Sequence, residues 1–238
     1  MNLPWQTSDL HPHALSLTED ALEVVDFADA LAADLATLNP PDTIHRYRII
    51  AHRGEHETVL RANGFIATRL TTLTDLPLTL VNHPMLDKPL PKALSAHWFT
   101  LKERAPWGGW IGAHWRHYQA THTSNPPREP VKGLRKIFVG EDFVEGLALR
   151  DGPQGRVRGF ASLRDDQELG WIGGAGDLVA HLLVACLRRA TALGWTTATI
   201  EVDDDDRDLW ALVKALEIAP QQTFVTWQRE RDPAKRPN

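Results

Sequence analysis

The stretch Glu168 to Gly194 constrains what this chain folds into more than any other. A short apolar segment, Glu168-Leu169-Gly170-Trp171-Ile172, runs into Gly173-Gly174-Ala175-Gly176 and then into a helical pattern opened by Asp177. Leu178, Leu182, Ala185 and Cys186 recur at helical spacing, flanked by Val179, Leu183 and Leu187, and Arg188-Arg189 and Gly194 mark the far end. A strand that ends in glycines and feeds a long amphipathic helix predicts a sheet covered by helices. The glycines admit two readings: a tight strand-to-helix turn capped by Asp177, or backbone that lets a phosphate approach the helix end.

The flanking segments extend this pattern. His97 to Leu101 predicts a strand and Trp107 to Thr121 a helix, in spite of Gly108, Gly109 and Gly112. Phe143 to Leu149 and Arg156 to Leu163 flank the turn signal Asp151-Gly152-Pro153-Gln154-Gly155, a hairpin. Thr196 to Val202 predicts a strand, Asp206 to Leu216 a helix and Thr223 to Trp227 a closing strand. Upstream, Thr18-Glu19-Asp20 precedes the stripe Ala21, Leu22, Val25, Phe27, Ala28, Leu31, Leu35, which predicts one helix. Ile44 to Ala51, Gly54 to Ala62 and Phe65 to Leu73 then predict strand, helix and strand.

Only Trp5 precedes Trp98 among nine tryptophans, and Pro77, Pro89 and Pro91 punctuate the ground between, which predicts a linker there. The expected units are residues 1–88 and 89–238. Setting Phe65 against Ile218 without gaps aligns Tyr47 with Ile200, Ile49 with Val202 and Val59 with Leu212, so the first unit is expected to repeat the second half of the second. At about 150 residues per domain, 238 residues allow one large domain or two small ones.

Composition narrows the function classes. With 42% hydrophobic and 24% charged residues the chain is globular rather than disordered. A net charge of −5 gives no electrostatic reason to expect nucleic acid or an anionic membrane as partner. No apolar run approaches the roughly 20 residues that span a bilayer. A single cysteine, Cys186, excludes an internal disulfide framework and agrees with a cytoplasmic location. Small molecules or proteins remain as partners.

The order of elements resembles that of the GNAT superfamily of acyl-CoA N-acyltransferases over about residues 92 to 230. The resemblance is carried by Gly159-Phe160-Ala161-Ser162-Leu163, by Glu168-Leu169-Gly170-Trp171-Ile172-Gly173-Gly174 and by Ile200-Glu201-Val202-Asp203. In the first unit, Val59-Leu60-Arg61-Ala62-Asn63-Gly64-Phe65 looks like the family's closing helix with its Gly-Phe ending. The resemblance implies an α/β (α+β) fold, a mixed twisted sheet flanked by helices with a partial repeat. It also implies acetyl-CoA as acyl donor, no metal, and a small-molecule or protein amine as acceptor. In that family two parallel strands splay apart, the donor's pantetheine arm enters between them, and its pyrophosphate meets amides at the start of the long helix. The matching residues here are Trp171, Ile172, Gly173, Gly174, Ala175 and Gly176, with Asp206 opening the last helix. Two departures stand out: Trp171 replaces the leading Arg or Gln of the family's loop, which is also about five residues shorter here, and Val213 stands where many members carry a tyrosine acid. They leave a second reading open, a catalytically silent GNAT-like module that binds a small molecule or a protein.

An acceptor amine that arrives as ammonium needs a base, and Glu168 and Glu145 are the carboxylates expected near the fourth and fifth strands. Trp110, His114, Tyr118 and His122 are expected either to wall an acceptor pocket or to pack an amphipathic helix on the sheet. His114 and His117 lie one turn apart, but on an ideal helix His122 points about 140° away from His117, which argues against zinc. The run Asp203 to Asp206 reads as a helix-start cap rather than a metal site.

Overall fold

The computed structural model describes residues 3–8, 10–17, 19–103, 107–123 and 133–232. In chain order they form β1 (Ala14–Leu17), α1 (Phe27–Thr37), β2 (Arg46–His52), α2 (Glu57–Ala62), β3 (Ile66–Pro77), β4 (Leu94–Phe99), α3 (Trp107–Thr121) and α4 (Leu134–Val139). There follow β5 (Phe143–Asp151), β6 (Val157–Arg164), β7 (Glu168–Leu169), α5 (Leu178–Ala192), β8 (Thr197–Asp203), α6 (Arg207–Ala215) and β9 (Gln222–Glu230). Two compact units result: the described residues up to Thr71 with those from Gln222 onward, and Thr72–Gln221. Each carries mixed pairing with helices packed on it, the α/β class that the sequence predicts.

In the first unit β1 runs parallel to β2, Ala14 opposite Arg46 and Leu17 opposite Ile49, and β9 runs antiparallel to β2 on its other edge. The period-two pattern of β2 buries Tyr47, Ile49 and Ala51, against which Phe27, Leu31 and Leu35 of α1, Leu60 of α2 and Trp227 of β9 pack. Buried Asp34 is satisfied by the Leu3 amide at 2.8 Å and the Trp5 indole N–H at 3.0 Å. The single helix expected from residue 21 is broken: a 3-10 turn covers Glu19–Leu22, and Asp26 adopts a left-handed conformation (φ 62°) before α1. The break turns Val25 out to solvent while Ala21, Leu22, Phe27, Leu31 and Leu35 stay buried. Thr18 of the expected cap lies outside the described residues.

In the second unit the strand order is β3-β8-β7-β6-β5-β4. β4, β5 and β6 form an antiparallel meander that includes the expected hairpin, β6 pairs antiparallel with β7, and β7 pairs parallel with β8. Alternation along β6 turns Ala161 and Leu163 toward α5, where they join Leu182, Leu183, Cys186 and Leu187 in the core, and turns Phe160 toward α3. The expected linker is instead part of this core. Leu78–Asn82 and Pro84–Leu86 form 3-10 turns, with Leu86 buried and Leu78, Leu80 and Val81 packed on the same cluster. The reason is the length of β3: it runs through to Pro77, past the expected stop at Leu73, and its second half belongs to the second unit. The compact units therefore divide at Thr71/Thr72, and β9 belongs with the first unit.

Candidate active site

The second unit opens a cavity of about 290 Å³ where β7 and β8 part. Their parallel pairing lasts two residues, Glu168 opposite Thr199 and Leu169 opposite Ile200, rather than the five predicted for that strand. Two glycines cause the divergence. A side chain at Gly170 would collide with Ser162 Oγ and lie 3.0 Å from Arg164 Nε. At Gly173 the Phe160 ring occupies the place of a Cβ, with His117 Cδ2 at 2.9 Å, and the Gly173 and Phe160 backbones exchange hydrogen bonds of 2.9 and 2.8 Å. Residues 170–173 are thereby drawn onto β6, and the far end of β8 is left facing open space.

Four elements line that space. α3 and its end supply His117, Thr121 and His122; β6 supplies Arg164; Glu168 to Ile172 form one wall; Glu201, Asp203 and Asp206 form the opposite one. Four carboxylates thus face one guanidinium and two imidazoles. The His117 Nε2–H donates to Asp206 Oδ2 at 2.9 Å, and His122 Nε2 lies 3.6 Å from Asp203 Oδ2. Asp206 is also the α6 cap, its Oδ1 accepting from the Leu209 amide at 3.4 Å, so the helix start fixes the carboxylate that holds His117. Arg164 pairs with Asp142 and has its Nε 3.9 Å from Glu168 Oε1. Burial pushes the Glu168 carboxyl up from its ordinary range, opposed by Arg164 and reinforced by Asp166 and Asp142.

Of the two expected bases, Glu168 faces the cavity. Glu145 does not: it is buried and held bidentately by Arg189 at 2.5 and 2.6 Å, a structural pair that keeps its carboxylate occupied. The expected aromatic wall divides in the same way. His122 lines the cavity, with Tyr118 stacked behind it at 3.8 Å. Trp110 and His114 are fully buried beneath it, Trp110 donating to the Leu147 carbonyl at 3.1 Å and His114 stacking on Phe138 at 3.8 Å. Burial, and after it the charges of His117, Arg164 and His122, hold the His114 imidazole neutral, well below its ordinary pKa. The sequence signal for the missed wall was alternation: Glu201 and Asp203 stand two apart on β8 and share a face.

Trp171 and Ile172 line the cavity, and Gly173, Gly174, Ala175 and Gly176 lead from it to α5. A Cβ on Gly174 would press on Leu178 Cβ at 3.1 Å and Leu182 Cδ1 at 3.2 Å, which would have to give by a few tenths of an ångström. Gly176 is different: at φ 57° its side-chain position is open, and its N–H donates to Asp208 Oδ2 at 2.8 Å. A carboxylate oxygen on that amide has the chemistry of a phosphate oxygen, so the loop fits an anionic group at this one point. Asp177 makes no side-chain cap and instead pairs with Lys88 at 2.7 Å, which holds its carboxyl below the usual range. Among the described residues no cluster has the composition of a metal site, and no helix is long and apolar enough to cross a membrane.

This splayed strand pair followed by a glycine loop and a long helix defines a class, the fold of the GNAT acetyltransferases. The chain is similar to a GCN5-related N-acetyltransferase from Sphaerobacter thermophilus, with TM-score 0.62 at 11% identity over 96% of this chain and 76% of that one. It is similar to a GCN5-related N-acetyltransferase from Kribbella flavida, with TM-score 0.51 at 16% identity over 92% and 81%. It also matches a tandem GNAT protein from the clavulanic acid biosynthesis pathway, with TM-score 0.50 at 14% identity over 87% and 69%. No protein-family model and no curated protein matches the sequence.

Proposed function

We propose that the chain is an acyl-CoA-dependent N-acyltransferase that moves an acetyl or other acyl group to an amine of a small molecule or a protein. The observation that carries this reading is the acidic cavity at the parting of β7 and β8, whose wall of Trp171 and Ile172 runs on along the chain into the glycine loop before α5. An amine reaches such a cavity as a cation, drawn by Glu168, Glu201, Asp203 and Asp206. The donor's phosphates would meet the Gly176 amide, and its thioester would lie along Trp171 and Ile172. Acetyl-CoA, when bound, supplies the activated acyl group; the chain's own residues orient the amine beside it and manage its protons.

A second reading, a silent module of the same fold, has a specific observation behind it: Asp208 already occupies the Gly176 amide, and Val213 is a buried core residue of α6 that offers no acid to a departing thiolate. A thermal-shift titration with acetyl-CoA and free CoA, followed by turnover with a panel of primary amines, separates the two. A ligand at 100 times its dissociation constant adds about 2.7 kcal/mol. Gly176→Asp places a second carboxylate in open space at the loop, so CoA affinity should fall, and Gly176→Asn, which carries the same cost of the left-handed backbone without the charge, separates that loss from any fall in melting temperature. Neither a shift nor turnover would leave the silent module.

A further inference from the structure

We infer that His117, held by Asp206, is the base that takes the proton from the incoming ammonium, an inference that rests on the acyltransferase reading above. Sequence reasoning assigned that task to Glu168 or Glu145; the geometry points elsewhere. His117 reaches from α3 to the cavity wall, and its ring is fixed on two sides: Asp206 Oδ2 accepts from Nε2 at 2.9 Å, and the Phe160 ring stands edge-on at 5.5 Å between centroids. Asp206 is itself fixed as the α6 cap. The hydrogen bond assigns the Nε2–H tautomer and leaves Nδ1 as the basic nitrogen, and the carboxylate stabilises the imidazolium that forms when Nδ1 is protonated.

Glu168 is less suited. Its Oε1 faces the Arg164 guanidinium at 3.9 Å, whereas His117 is oriented by a carboxylate through one ring nitrogen and keeps the other to take a proton. The other titratable or charged groups around His117 are Asp203 and Glu201 on β8, Arg164 on β6, Glu168 on β7, and His114 and His122 on the α3 side.

R–NH3+ gives one proton to His117 Nδ1, and the freed nitrogen lone pair attacks the thioester carbonyl carbon. The N–C bond forms, the C–S bond breaks and the electron pair leaves on sulfur. The second nitrogen proton goes to the thiolate, giving amide and free thiol, and the imidazolium returns its proton to water.

The test uses the full chain with acetyl-CoA and a primary-amine panel, following thiol release from about pH 6 to 10. His117→Gln should lower kcat/KM by about 100- to 10,000-fold below the amine's pKa, with the deficit shrinking as pH rises and the free amine needs no base. Asp206→Asn keeps a cap-forming side chain but removes the carboxylate that holds the ring, so it should reproduce part of the His117→Gln deficit with the same dependence on pH. Calorimetry with CoA on each variant reports whether the fold and donor site persist. A His117→Gln deficit that is absent or constant with pH overturns the inference alone, and a pH-dependent deficit in Glu168→Gln instead gives the role to Glu168. No turnover by the wild type with any amine overturns the acyltransferase reading and the inference with it.

Discussion

Asp208 holds the amide that a donor phosphate would need. Its hydrogen bond to Gly176 is exposed, so the contact is weak and exchangeable in water, but its charge still opposes any anion that arrives there. Removing that charge while keeping the shape should favour the donor. Two unit charges about 4 Å apart in a water-like medium cost about 1 kcal/mol, so Asp208→Asn is expected to tighten CoA binding roughly fivefold, measured by calorimetry at low and high salt. An affinity that stays put would show that the pyrophosphate lies elsewhere along α5. At this scale the sequence identified types well and environments poorly. Glu168, His122, Trp171 and Asp206, all legible in the sequence, line the cavity from beside the ends of β7, α3 and α6. Trp110, His114 and Glu145 looked equally suitable, and only the packing of Phe138 and the reach of Arg189 take them out of the cavity.

The splay of β7 from β8 is the element on which the site depends, and Gly173 is its anchor. The Phe160 ring fills the place of a side chain there, and the two residues are joined by a pair of backbone hydrogen bonds. Gly173→Ala must push the ring or break the bridge, at a cost of about 1–3 kcal/mol for overpacking a buried site. Urea unfolding should show that loss, and because His117 borders the same point, CoA-dependent turnover should fall with it. A variant as stable as wild type would mean that the bridge yields freely. Elements built from nearby residues were readable in advance: the β5–β6 hairpin from its Asp-Gly-Pro turn, and α3 and α5 from apolar spacing. The two-residue length of β7 was not, because what ends it is the close approach of β6. Nor was the place of β9, whose partner β2 lies about 180 residues away in the chain, a distance over which pattern carries no pairing information.

Each compact unit contains one histidine that burial keeps neutral, and this makes the stability of the whole molecule depend on acid. In the first unit burial, and after it the charges of Arg48, Arg69 and Arg46, lower His11 to about 3. In the second, fully buried His114 is lowered in the same direction. In the unfolded chain both titrate near 6.5. Below that value the unfolded state binds the extra proton and the native state does not, so stability is present above pH 6.5 and is lost as pH falls toward the folded values. The slope is about 1.4 kcal/mol per pH unit for each histidine. Glu168 works the other way, its raised pKa contributing stability that is lost as pH rises through the folded value. Its effect is separated by working with a single substitution. His114→Phe retains an aromatic ring against Phe138 and removes the titration. Its unfolding free energy relative to wild type, measured in urea between pH 6.5 and 5, should therefore improve by about 1.4 kcal/mol for each unit of acidification. A difference that stays constant across that range would mean that His114 binds its proton equally in both states, and the neutral buried imidazole would have to be given up.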